Sequence, residues 1–94
     1  MNVKIHLDLL GRRAEDRVTG FKGVVCSIYF DLYGCVQAVI CPQVDKDGKQ
    51  GDPHCYDVSR LIVSEGDPVM ERPNYEFGPV AEGRKGPAEK PGFL

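Results

Sequence analysis

The chain has 94 residues and a mass of 10.4 kDa, enough for one small domain and too little for two. Twelve Lys and Arg against fourteen Asp and Glu leave a net charge of −2, so the chain as a whole offers no field for a polyanion and only a local basic patch would serve one. No apolar run approaches the roughly 18 residues of a membrane span and no signal-peptide pattern opens the sequence; no membrane partner is expected, and the expected location is cytoplasmic.

In chain order, Val3, Ile5, Leu7 and Leu9 alternate with Asn2, Lys4, His6 and Asp8, a period of two that predicts a half-buried strand ending at Leu10-Gly11. A turn around Arg12–Glu15 is the one helical candidate. Asp16–Thr19 is short and alternating, and Gly20-Phe21-Lys22-Gly23 reads as a turn carrying an aromatic. Val24–Phe30 is dense in β-branched and aromatic residues, which suit a pleated surface. Asp31–Gly34 supplies a tight reversal, and Cys35–Cys41 is the next strand, stopped by Pro42. A polar loop over Asp45–Pro53 follows, then extended His54–Asp57, a link at Val58–Arg60 and a last strand at Leu61–Val63.

Five of the seven prolines and five of the eleven glycines lie beyond Glu65, where no apolar period survives. The expected fold is therefore all-β. It comprises a small curled β-barrel of about five strands within residues 1–65, an extra N-terminal strand, and an extended or disordered Pro/Gly-rich tail over 66–94.

The stretch Asp16-Arg17-Val18-Thr19-Gly20-Phe21-Lys22-Gly23-Val24-Val25 resembles a family of small, functionally uncharacterised bacteriophage and prophage proteins that share D-(K/R)-V-T-G-F-x-G-(V/I). The likeness continues through Tyr33–Gln37, Val44–Lys49 and Tyr56–Leu61, spanning residues 10–63. It implies a phage-type origin, hence a host-cell cytoplasmic location, and an SH3-like or KOW-like barrel. It brings no activity with it. KOW modules often bind RNA or ribosomal partners, an analogy of fold only.

Chemistry is thinly written. Cys26, Cys35, Cys41 and Cys55 are spaced by nine, six and fourteen residues, with no C-x-x-C pair, and three lie inside apolar strands; reduced core thiols without a metal are expected. Asp45-x-Asp47-Gly48 resembles the start of a calcium loop, but Lys49 stands where an oxygen ligand belongs and Tyr56 where the closing Glu belongs. Ser27, Ser59 and Ser64 lack a nucleophile setting, so no enzyme activity and no cofactor are expected.

What remains is binding. Arg12, Arg13, Arg17, Lys22 and Arg60 beside Phe21, Tyr29 and Tyr33 pair guanidinium and ammonium groups with aromatic faces, the combination that suits a nucleotide-like ligand. The alternative sets Arg12, Arg13 and Arg17 against Asp8, Glu15 and Asp16 on a solvated face. In the tail, Tyr75, Phe77 and Phe93 stand out from a Pro/Gly background as partner anchors.

The expected function is a non-enzymatic, phage-type binding protein that engages a host factor or small ligand, with counter-defence as its setting. A virion or assembly adaptor and a nucleic-acid-binding KOW-like module are the alternatives, the last not favoured. Self-association is also expected, through the N-terminal strip and the tail. A barrel of about fifty residues is short of buried apolar area, and an uncovered strip would need a neighbour.

Overall fold

The computed structural model describes residues 3–75, and Phe77 and Phe93 lie outside them. A short helix α1 (Val3–Leu7) is followed by strands β1 (Arg13–Asp16), β2 (Lys22–Phe30), β3 (Val36–Cys41), β4 (His54–Asp57) and β5 (Leu61–Val63), with a single 3-10 turn at Val58–Arg60. The strands form one antiparallel sheet in the order β4-β3-β2-β1-β5.

Strand β3 shows why these segments are strands. Val36, Ala38 and Ile40 are buried while Gln37 is exposed and Val39 and Cys41 are half-buried, a clean period of two. Ala38 and Ile40 of this row join Ala14 of β1, Val25 of β2 and Leu61 of β5 in the core, with Leu9, Leu10, Phe21, Ile28, Tyr56, Val58 and Val63 packed around them. The pairing of β2 with β3 slips between Val25 and Ser27, leaving Cys26 as the extra residue of a bulge. Gly23 lies so close to β3 that a Cβ there would overlap the Cys41 carbonyl.

The all-β class holds, but the sheet is not closed into a barrel: among the described residues no ladder joins β4 to β5. The gap is crossed by the 3-10 turn. Asp57 caps it by accepting from Ser59 N at 3.0 Å and Ser59 Oγ at 2.8 Å.

The expected N-terminal strand is a helix instead. Leu9 and Leu10 are neighbours in sequence and both pack on the core, which a strand forbids because it sends adjacent side chains to opposite faces. Helical spacing also brings Lys4 and Asp8 together at 2.8 Å. Bonds from Leu9 N to His6 O, Leu10 N to Leu7 O and Arg12 N to Leu9 O carry the turn onward. Of the helical candidate Arg12–Glu15, Arg13, Ala14 and Glu15 lie in β1 instead.

The first strand of the sheet is also displaced, to Arg13–Asp16 from the expected Asp16–Thr19. The Asp16 carboxylate turns inward and accepts from Thr19 N at 2.8 Å and Thr19 Oγ at 2.5 Å, so Asp16–Gly20 closes as a turn.

Nor are the cysteines core thiols. Cys26, Cys35 and Cys55 are exposed and Cys41 is half-buried, because the inward register belongs to Val36, Ala38 and Ile40 and the bulge turns Cys26 out. All four are free thiols.

Residues 66–75 return to the N-terminal segment. Val69 N donates to Gly11 O at 2.8 Å, Arg12 Nη1 to Gly66 O at 2.5 Å, and Arg72 Nη2 pairs with Asp8 Oδ1 at 2.8 Å.

Candidate functional site

The residues that the sequence groups as one cationic and aromatic patch separate into three places. The first is a structural clasp. Asp16 is fully buried, and Arg60 meets it with two parallel hydrogen bonds, while its guanidinium stacks 4.9 Å from the Tyr56 ring centre. These bonds, with those from Thr19, hold the Asp16 carboxyl well below the usual carboxylate range and push Arg60 up. Arg17 donates to the Leu61 carbonyl at 3.2 Å and Arg12 to the carbonyls of Asp8 and Gly66. All three arginines therefore tie chain segments together. Phe21 leaves the β1–β2 turn to pack edge-on against His54 at 4.8 Å and tilted against Tyr56 at 5.9 Å, where it helps to cover the gap beside β4.

The second place is a groove of about 490 Å³ lined by Arg13, Glu15, Lys22, Pro42, Ile62 and Ser64 among others. The ladder builds it. Arg13 lies opposite Val24, while Glu15 lies opposite both Lys22 and Ile62, so Lys22, Glu15 and Ile62 form one cross-strand row. Ala14 and Asp16 take the inward positions of β1, which leaves Arg13 on the outer face, exposed. Ile62 is 54% exposed and stands at the β5 end of that row, with Glu15 between it and Lys22. Among the described residues neither Arg13 nor Lys22 takes part in an ion pair. Arg12, Arg17 and Arg60 are engaged with carbonyls or Asp16, whereas these two cations line the groove without such partners.

The third place is the β2–β3 hairpin tip, which carries Tyr29 and Tyr33. Asp31 Oδ1 accepts from Tyr33 N and Cys35 N, both at 2.9 Å, and Gly34 takes φ +92°, a left-handed conformation that favours glycine. This tied turn holds Leu32 and Tyr33 in solvent, 89% and 85% exposed. Phe30, behind them, is met edge-on by His6 of α1 at 5.9 Å. Asp31 and then Asp57 raise the pKa of the Cys35 thiol, a sign of negative field at this end.

Sequence reasoning named Arg13 and Lys22 but missed Ile62, Pro42 and Leu32. A run such as Leu61-Ile62-Val63 hides which residue faces out, although the Asp31-x-x-Gly34 pattern did mark the turn. In the tail, Tyr75 is half exposed beside Pro73 and Met70 in an apolar hollow that also contains Leu10 and Val24.

Asp45 Oδ1 accepts from Asp47 N at 2.8 Å and Lys49 N at 2.9 Å, so this carboxylate shapes its own loop. No cluster of three or more His, Cys, Asp or Glu side chains that could hold a metal occurs among the described residues. No helix among them is long and apolar enough to cross a membrane. No family model matches the chain, and comparison with curated proteins and with solved structures gives no match.

Proposed function

We propose that the protein is a non-enzymatic binding module of phage type. In this reading, the groove of β1, β2 and β5 takes an acidic, apolar segment of a host protein. The observation that carries this reading is one groove lined by two cations outside any ion pair, Arg13 and Lys22, together with exposed Ile62. Charged and apolar groups at one concave site give a partner both steering and burial. The resemblance over residues 16–25 supports the phage setting and, through it, a counter-defence role.

The small-ligand form of the reading is weaker. Arg12, Arg17 and Arg60 already hold carbonyls or Asp16, and Tyr29 and Tyr33 lie at the far end of β2 from Lys22.

Fluorescence anisotropy with a labelled acidic, aromatic peptide tests it. Binding that weakens with salt and is lost in Arg13→Glu/Lys22→Glu, with the fold intact by circular dichroism, is the expected result. Absence of peptide binding, or tighter salt-dependent binding of an RNA oligonucleotide, would overturn it.

A further inference from the structure

The hairpin tip and the groove are complementary in chemistry and stand at opposite ends of one strand. Leu32 and Tyr33 are the two most exposed large apolar side chains among the described residues. The turn that presents them is fixed by the two Asp31 hydrogen bonds, so little ordering entropy is left to lose on docking. Tyrosine held out on a rigid support is the residue type that dominates binding energy at interfaces. The charge around the tip is negative, from Asp31, and residues 29–37 contain no Lys or Arg. That composition disfavours an anionic membrane surface, which calls for basic residues beside the apolar ones.

The groove offers the reverse. Arg13 and Lys22 line it with Ile62 and Pro42, Glu15 stands opposite Lys22 as the single acid in the lining, and about 490 Å³ is ample for a leucine and a tyrosine side chain. A tip cannot reach the groove of its own chain. Lys22 opens β2 and Phe30 ends it, which at about 3.3 Å per residue separates the two features by roughly 26 Å along a paired strand.

We infer that a second copy of this chain is an occupant of the groove: the Leu32–Tyr33 tip of one molecule docks in the groove of the next, over Ile62 and Pro42, with Asp31 facing Arg13 and Lys22. This deepens, and rests on, the reading of the groove as the binding surface. The contact is head-to-tail, so each docked molecule keeps a free tip or a free groove, and assembly continues until a ring closes or a chain extends. Host-protein binding and self-assembly then compete for one site. The N-terminal strip plays no part in this contact.

Sedimentation velocity across a wide concentration range tests the inference, with four samples. Wild type should associate with rising concentration, and less so at high salt. Leu32→Ser/Tyr33→Ser removes the tip, and Arg13→Glu/Lys22→Glu reverses the groove; each alone should associate at least about tenfold more weakly, the scale of losing one interface hot spot. An equimolar mixture of the two variants restores one intact tip facing one intact groove, and should give a heterodimer that stops at two molecules. A wild type that stays monomeric, a tip variant that associates like wild type, or a mixture that stays monomeric would overturn the inference. If the wild type is monomeric while the acidic peptide still binds the groove, self-docking falls and the groove reading stands. If the peptide fails as well, both fall.

Discussion

Arg60 and Asp16 lie 44 residues apart in sequence and meet through two parallel bonds, Nε to Oδ1 at 2.7 Å and Nη2 to Oδ2 at 2.8 Å. The pair joins the end of β1 to the 3-10 turn that leads into β5, and so fixes the side of the sheet on which the groove is built. Asp16 has no access to water, so its charge depends on this partner and on Thr19.

Arg60→Ala is expected to lower the thermal midpoint more than Arg17→Ala, because it strands a buried carboxylate whereas Arg17 only loses bonds to backbone carbonyls. Arg60→Lys should recover only part of the loss, since an ammonium cannot reproduce the two-pronged fit. Equal midpoints for Arg60→Ala and Arg17→Ala would contradict this.

Stability should also depend on acidity in a definite direction. Asp16, Asp8 and Asp57 all have carboxyls lowered from 3.8, through bonds from Arg60, Lys4 and Ser59 respectively as the largest cause. A depressed folded-state pKa contributes stability that is fully present above the unfolded value and is lost as pH falls through the folded value. Urea midpoints should therefore be steady down to about pH 5 and decline below about pH 4. In Asp16→Asn the decline should be shallower, from a lower starting point. A midpoint that rises on acidification would refute the assignment.

Gly23→Ala should cost about 1–3 kcal/mol, the usual range for overpacking, because the added methyl meets the Cys41 carbonyl and the Ile40 side chain. Gly34→Ala tests a different constraint, that of φ +92° in open space, and should loosen the hairpin tip without touching the core. Denaturant midpoints and amide exchange at Tyr33 and Cys35 separate the two effects.

Among the thiols, Cys26 should alkylate slowly. Desolvation of its sulfur, followed by a hydrogen bond to the Cys41 thiol, pushes it up to about 11. Its thiolate fraction at neutral pH is then roughly three-hundredfold below that of an ordinary cysteine near 8.5. Peptide mapping after a short iodoacetamide pulse should show Cys26 lagging the other exposed thiols, with the lag closing only in strong alkali. Prompt labelling at neutral pH would be inconsistent with that environment.

Strands β2, β3, β4 and β5 were legible because β-branched runs are punctuated by Asp31–Gly34, Pro42 and Val58–Arg60, each of which breaks a ladder locally. The N-terminal segment was misread because Val3, Ile5, Leu7 and Leu9 satisfy a period of two. What decides is the pair Leu9-Leu10, whose joint burial only the assembled core requires. Strand β1 was misplaced for a related reason: Arg12–Glu15 reads as a helical turn and Asp16 as an acid on a solvated face until Arg60 arrives from far along the chain to pair with it. The groove was half legible. Arg13 and Lys22 could be named as cations, but their company depends on the register that sets Glu15 opposite Ile62.

The return of residues 66–75 to Gly11 and Asp8 means that the last described segment is fastened to the residues that follow α1. A chain shortened after Glu65 would strip Asp8 of Arg72, the Gly11 carbonyl of its donor and the Arg12 guanidinium of the Gly66 carbonyl in a single cut. Prolines and glycines that look like a spacer thus begin as a buckle that ties the chain after Glu65 to the segment following α1.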